Sequence, residues 1–320
     1  GLGEMGLSHM ALTIGAAPGA PPVRISLESA QATDVRLETA FSGMDPAAFD
    51  PAMMSKKSYA RLGATNLRIQ AGGVEIAMPA LTSEMSVLSG GALRTTADMP
   101  SFALTVDPEA DVQSAQMASS LAMLGYDALE LAYSASYIYD PAADRLYTDG
   151  PNAVTLRDGG TFDLRYDMTG VSDYMQSALD LRADAMMSVE RDAAATEIDE
   201  AAAMEMLSAM TLGAMTVSFD DSGLLERGLT LFARQSGVDL ATARAQAVGM
   251  IALVSMGACE ALPPSVVAQM SQALTGFVQN GGRIEVSLQP EQPMGFTDMM
   301  TQQGRFDAEA AGLSFSHEAP

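Results

Sequence analysis

Apolar and polar residues alternate with a period of two along much of this chain, and that pattern commits it to half-buried β-strands. Val23, Ile25 and Leu27 alternate with Arg24, Ser26 and Glu28; Leu67 and Ile69 alternate with Asn66, Arg68 and Gln70, and Val74, Ile76 and Met78 follow. Successive strand side chains point to opposite faces, so each run offers one apolar and one solvated face, as in an antiparallel sheet. Gly72-Gly73, Gly159-Gly160 and Gly281-Gly282 each stand just ahead of such a run. Glycine tolerates positive φ, and these pairs are expected to be turns that launch strands. Between Met44-Asp45-Pro46 and Asp50-Pro51 the prolines predict a loop.

The middle of the chain reads as a meander. Leu129, Leu131, Tyr133, Tyr137 and Tyr139 share one strand face, Asp140 to Asp144 makes a turn into Arg145-Leu146-Tyr147, and Phe162, Leu164, Tyr166 and Met168 line a further strand. The period then changes. Met175, Ala178, Leu179, Met186 and Val189 fall on a helix face interrupted by Arg182, and Thr196 with Asp199 resembles a capping box. From Met215 to Val286 the pattern is strand, three helices, strand. Asp220-Asp221-Ser222 caps the first helix, which buries Leu225, Leu229 and Phe232. Leu240, Ala243, Ala247, Met250 and Val254 line the second, and Pro263-Pro264 starts the third, with Val267, Met270, Leu274 and Phe277 inward. The fold class expected is α+β: a mostly antiparallel, strand-rich sheet with helices packed on one face. Residues 1–100 read as a strand-rich region and 101–320 as an α+β region. Leu104-Thr105-Val106 leading to Gly125-Tyr126-Asp127 echoes Met215-Thr216-Val217 leading to Gly237-Val238-Asp239 at similar spacing.

Charge and composition exclude several functions. The chain has 40 acidic against 17 basic residues, a formal net of −23. Such a field repels nucleic-acid phosphates and anionic headgroups. With two histidines and one cysteine, nucleophile and acid–base types are scarce; Cys259 has no disulfide partner and is read as a buried thiol. His9 and His317 stand at opposite ends of the chain. Asp140, Asp144 and Asp149 lack calcium-loop spacing and read as turn residues, and Asp220-Asp221 read as a helix cap before a paired-carboxylate site. No catalytic, metal or cofactor-binding residues are assigned. No run reaches the ~18 uninterrupted apolar residues of a membrane span, the longest being Ala245 to Ala258. The chain opens at Gly1 with no basic-plus-apolar leader, from which either a removed signal or anchor segment or a cloning boundary is expected.

The 24 methionines are the unusual part of the composition. Met204, Met206 and Met210, or Met294, Met299 and Met300, are candidate thioether ligands for Cu(I), but their placement on strand and helix faces favours packing. Met53, Met54, Met186, Met187, Met299 and Met300 fall in loops and at helix ends and are the candidates for an apolar binding surface.

Val217 to Arg227, Gly281-Gly282-Arg283-Ile284-Glu285-Val286 and Pro290-Glu291-Gln292-Pro293, with the meander from Leu124-Gly125-Tyr126 to Gly170, resemble bacterial cell-envelope proteins of the AsmA-like, periplasmic kind. The resemblance implies a periplasmic role near lipid and transfers no catalytic position. The expectation is a non-enzymatic envelope protein that binds a lipid or other apolar ligand, or another envelope protein. The alternatives are an assembly subunit with Met-rich interfaces and a carboxylate-based hydrolase.

Overall fold

A computed structural model describes residues 2–15, 21–36, 56–175, 208–258, 262–299 and 306–320. Its twelve strands form one sheet. Strands β1 (Leu2–Ile14), β2 (Val23–Val35), β3 (Arg61–Ala71), β4 (Val74–Val87), β5 (Leu93–Val106), β6 (Leu129–Asp140), β7 (Arg145–Leu156), β8 (Gly160–Thr169) and β9 (Thr211–Asp221) lie side by side in chain order. All pair antiparallel. β10 (Arg283–Leu288) and then β12 (Leu313–Glu318) continue the sheet, and the two-residue β11 (Met294–Gly295) pairs with β9. Helix α1 (Val112–Met123) connects β5 to β6. Helices α2 (Leu224–Ser236), α3 (Leu240–Ala258) and α4 (Pro264–Asn280) connect β9 to β10, the strand–three helices–strand order predicted from the sequence. The fold is α+β with strands dominant. The division expected at residue 100 falls inside β5, and the sheet passes through it unbroken.

The expected turns sit where the Gly-Gly pairs put them, and one shows why glycine is needed. Gly72 has φ +57°, and a Cβ on Gly73 would stand 2.4 Å from Ser114 Oγ. The β3–β4 turn is therefore packed directly under the first turn of α1, whose cap Asp111 accepts the Ser114 amide at 2.7 Å.

Following the registers across the sheet separates its two faces almost completely. One face carries Met5, Leu7, Met10, Leu12 and Ile14 of β1, then Val23, Ile25, Leu27, Ala30 and Ala32, then Leu62, Ala64, Leu67 and Ile69, then Val74, Ile76, Met78, Leu81 and Met85. It continues through Leu93, Phe102 and Leu104, the odd-numbered residues of β6, Val154 and Leu156, and Phe162, Leu164, Tyr166 and Met168. Among the Asp, Glu, Lys and Arg residues of β1 to β8, alternation puts only Asp34 on it, two residues beyond Ala32 in left-handed backbone (φ +53°) and paired with Lys57 at 3.0 Å. The opposite face carries the charges, paired as Arg68–Glu75 at 3.1 Å, Arg145–Asp167 at 2.6 Å and Arg165–Asp163 at 2.9 Å.

Strict alternation along 13- or 14-residue strands does not produce this separation; a crease does. On β1 the apolar-face residues are odd up to Leu7 and even from Met10, and the same parity change falls between Leu27 and Ala30, Ala64 and Leu67, Met78 and Leu81, and Met99 and Phe102. These breaks lie in one transverse row. His9 (φ +53°) and Asn66 (φ +49°) take left-handed backbone there, Pro79 stands opposite Asn66, and β5 absorbs the shift as a bulge against β6. The Asn66 side-chain amide donates to Glu28 on the neighbouring strand. Each strand thus turns over once at its middle and keeps its apolar residues on one side.

The C-terminal third of the apolar face is covered and forms the compact core. α4 lies on β10 and β12, where Phe277 meets Phe219 edge-on at 6.1 Å and His317 at 6.5 Å. At the other end of these strands Leu212, Met299 and Ala311 form a buried cluster flanked by Met168, Met215, Leu288, Phe296 and Phe306. α4 buries Val266, Val267, Met270 and Ala273, in keeping with its expected inward face. In α3 the expected stripe fails: Ala243 is buried, but Met250 and Val254 are 48% and 64% exposed. α3 packs on α2 and α4. Arg227 of α2 ties the helical layer to α1. Its guanidinium sits 4.5 Å over the Tyr126 ring and donates to the carbonyls of Leu124, Gly125 and Asp158. Two of those carbonyls are orphans at the end of α1. The helix face from Met175 to Val189, with Arg182, and the Thr196–Asp199 cap lie outside the described residues.

Two stability measurements check these assignments. Asn66→Val forces a β-branched residue into left-handed backbone and is expected to cost about 1–2 kcal/mol in urea denaturation, while Asn66→Gly stays close to wild type. Arg227→Ala removes a cation–π contact and charge-assisted hydrogen bonds and is expected to cost about 2 kcal/mol; no change in the urea midpoint would show that α1 is not held by this residue.

Candidate functional site

From β1 to β7 the only described helix that meets the sheet is α1, at β5 and the β3–β4 turn. On β1, Leu7, Leu12 and Ile14 are 61%, 48% and 49% exposed. A concavity of about 440 Å³ is lined by Met5, Leu7, Ala30, Ala32 and Leu62. Across β2 to β5 most apolar-face residues are only half-buried. Strands about 4.8 Å apart make seven of them a strip of roughly 30 Å, crossed by strands about 40 Å long. Large contiguous apolar surfaces of this kind mark ligand or partner sites.

Tyrosines stand at the closed end of this strip. Tyr133, Tyr137 and Tyr139 of β6 and Tyr166 of β8 are on the apolar face, and Tyr59, in the segment before β3, reaches the same area. Tyr59 Oη lies 2.8 Å from Ser83 Oγ, which donates to the Thr96 carbonyl, so the tyrosine is the donor of that pair. Burial raises the Tyr137 and Tyr166 hydroxyls above the usual tyrosine range; a hydrogen bond to Thr95 partly offsets this for Tyr137, and neighbouring tyrosines add to it for Tyr166. Tyr139 is pushed up to about 12, by burial first and then by its hydrogen bond to Asp144. That contact is 2.9 Å long, and Asp144 also accepts the Ser172 amide and hydroxyl, pinning the helical turn at 171–175 to the β6–β7 turn. The result is a greasy floor with phenolic hydroxyls at one end, able to hold an alkyl chain and hydrogen-bond a polar group.

The charged face has a hollow of about 470 Å³ lined by Asp163, Arg165, Asp220 and Arg283 among others. Its cations are engaged, Arg165 with Asp163 at 2.9 Å and Arg283 with Glu285 at 3.1 Å, so it presents a solvated ion-pair lattice and not an aimed group. The described aspartates with shifted pKa are all lowered: Asp34 by its hydrogen bond to Lys57, Asp111 by the Ser114 amide and Asp239 by the Thr242 amide. These are an ion pair and two helix caps, opposite in sign to a general acid.

Of the six methionines read as a candidate surface, Met53, Met54, Met186, Met187 and Met300 lie outside the described residues. Met299 is 3% exposed and packs with Leu212 and Ala311, so it belongs to the core. Met210 is also buried and Met294 flanks the same cluster, while Met204, Met206 and Cys259 lie outside the described residues. Asp140 accepts the Ala142 amide in its turn, Asp149 pairs with Arg94, and Asp221 accepts the Leu225 amide at 2.9 Å near the start of α2. His317 contacts the Gly281 carbonyl at 2.8 Å and His9 sits on the crease. Sequence reading missed the whole of β1, whose Leu-x-x-Met-x-Leu spacing from Leu7 to Leu12 breaks period two at the crease. It also undercounted α3, the one helix among the described residues long and apolar enough to cross a membrane, with mean hydropathy 1.3 and 11% of its best window buried.

The tyrosines give a pH test. Because folding raises the Tyr139 pKa, the unfolded chain releases its proton first, near 10. The stabilisation is complete below that value and is lost as pH rises toward about 12. Urea midpoints of wild type are expected to fall between pH 10 and 12 and to fall less in Tyr139→Phe; parallel curves would remove Tyr139 from the account.

No curated protein matches the chain. A family model described as "Uncharacterized protein" matches residues 153–317, from the second half of β7 through β12, which is the covered part of the sheet with α2, α3 and α4. Spanning just over half of the sequence, that match places the chain in this family of uncharacterized proteins.

Proposed function

We propose that this protein binds elongated apolar molecules, lipid acyl chains in particular, along the uncharged face of β1 to β8, without a catalytic step. The observation that carries this reading is the segregation itself: every charge of those strands but Asp34 is on one side, and on β1 to β4 the other side has no described helix over it beyond the contact of α1 at the β3–β4 turn. Fully burying a Leu, Ile or Met is worth about 1.5–3 kcal/mol, so covering the half-exposed residues of β1 alone stabilises a complex by roughly 5 kcal/mol. Each buried methylene of the ligand adds about 0.8 kcal/mol, which a chain of ten or more carbons uses to offset the cost of immobilisation. The net charge of −23 disfavours anionic headgroups, so neutral or zwitterionic lipids fit best. The tyrosine hydroxyls supply a hydrogen-bonding end. The AsmA-like resemblance points the same way, and the proposed setting is the cell envelope, where lipid must be held away from water.

The test is organic extraction of purified protein with mass spectrometry, together with titration of a fluorescent phosphatidylcholine. Wild type is expected to carry lipid and to take up the probe. Ile69→Glu with Leu104→Glu puts two charges mid-face and is expected to weaken uptake by at least about tenfold, since each isolated carboxylate resists desolvation by several kcal/mol. Clean extracts with no uptake by wild type would overturn the proposal.

A second reading is supported by α3. Met250, Leu253, Val254 and Met256 are 48%, 64%, 64% and 63% exposed on a helix with no acidic residue, which suits a protein or membrane partner in an assembly role. It predicts a co-purifying partner lost on Leu253→Asp with Val254→Asp; its retention would remove α3 from the interface.

A further inference from the structure

The two edges of the sheet are treated differently. At the β12 edge the Phe315 amide donates to Gln269 of α4 at 3.4 Å, and α4 lies along the strand. At the other edge β1 is last in the strand order, 13 residues long, with no described element on its outer side. It contains no proline, lysine or arginine and a single acid, Glu4, so apart from the kink at His9 it lacks the devices that usually blunt an edge.

We infer that β1 pairs antiparallel with β1 of a second copy of this chain, in the register that sets Leu7 opposite the partner's Met10, joining two sheets into one. The crease fixes that register. A two-fold axis normal to the sheet keeps both apolar faces on the same side, so each apolar-face residue must meet another. Because parity changes between Leu7 and Met10, this requires an odd residue-number sum. A sum of 17 pairs Leu7 with Met10, Met5 with Leu12 and Gly3 with Ile14, and brings the two creases within one residue of each other.

Charge selects the same register. Glu4 and Arg24 are both on the charged face, and neither forms an ion pair among the described residues. Thr13 is the register partner of Arg24. The sum of 17 places Glu4 opposite Thr13 of the other copy, so Glu4 and Arg24 fall in one transverse row two strands apart. At about 4.8 Å per strand that is roughly 10 Å between backbones, within reach of an Arg and a Glu side chain. The contact occurs twice about the axis. Elsewhere a net charge of −23 opposes self-association, whereas this edge offers a nearly neutral strand and two opposite charges in register. The joined sheet doubles the uncharged face without interruption. The pairing needs no ligand, so it stands or falls separately from lipid binding.

Light scattering on a sizing column is expected to show a dimer of the full chain. Glu4→Arg or Arg24→Glu alone is expected to raise the dimer dissociation constant roughly tenfold, and the two together to restore it. In a Cys259→Ser background, Leu7→Cys with Met10→Cys is expected to give a disulfide-linked dimer on mild oxidation. The two cysteines are too far apart along one strand to close within a chain. A monomer at high micromolar concentration would overturn the pairing, as would a dimer that ignores both charge reversals and fails to cross-link.

Discussion

The structure depends on keeping charge off one side of a single sheet. An ionised side chain on the apolar face would be desolvated wherever α4 or the Leu212 cluster covers it, at a cost no exposed ion pair returns. From β9 to β12 that requirement builds an ordinary core. From β1 to β7 the same rule is kept, Asp34 at the end of β2 apart, although among the described helices only α1 meets these strands, at β5 and the β3–β4 turn. A sheet face left to water has no energetic reason to exclude Asp, Glu, Lys and Arg across so many strands, and most antiparallel sheets exploit that freedom on their solvated side. The near-absence of such charges here is the observation that the proposed binding role rests on.

The crease follows from the length of the strands. A strand of 13 or 14 residues spans about 45 Å, and regular alternation along it would serve as well as the observed pattern if the sheet were straight. Instead His9, Glu28, Asn66, Pro79 and the Pro100-Ser101 bulge line up across β1 to β5. Left-handed residues and bulges bend strands and increase local twist, and a concavity lies beside this row at Met5, Ala30 and Leu62. Neighbouring strands must bend together or lose their ladder, which explains why five strands change parity at one row while β6, past the bulge, does not.

Much of the architecture was legible where it depends on local chemistry. The Gly-Gly turns, the tyrosine-bearing face of β6, the Asp140–Asp144 reversal and the order β9, α2, α3, α4, β10 all follow from period, turn residues and caps. The unread features are those in which a period is interrupted for a non-local reason. β1 is invisible to a period-two scan because His9 splits it into two out-of-phase halves, and β2 to β5 look shorter than they are for the same reason. α3 misled in the opposite direction. Its stripe through Met250 and Val254 implies burial, but a helix whose other faces are also apolar carries no orientation signal, and tertiary contact at Ala243 decided which side turned in. The methionine site reading failed at Met299 because a loop residue was assumed to face water, whereas the turn after β11 folds back onto Leu212.

Methionine and tyrosine make different contributions to the resulting surface. Met5 and Met10 of β1, Met78 and Met85 of β4 and Met99 of β5 are spread over the face, and an unbranched thioether accommodates ligands of varied outline at little cost. The tyrosines are concentrated on β6 and β8, where the sheet passes from open to covered. There the hydroxyls are desolvated enough to raise Tyr137, Tyr139 and Tyr166, yet Tyr137 and Tyr139 are anchored by Thr95 and Asp144. Rigid polar groups at one end and pliable apolar groups over the rest give the face a direction. In the proposed complex an amphipathic ligand would gain most with its polar part toward β6 and its chain running toward β1, the last strand of the described sheet.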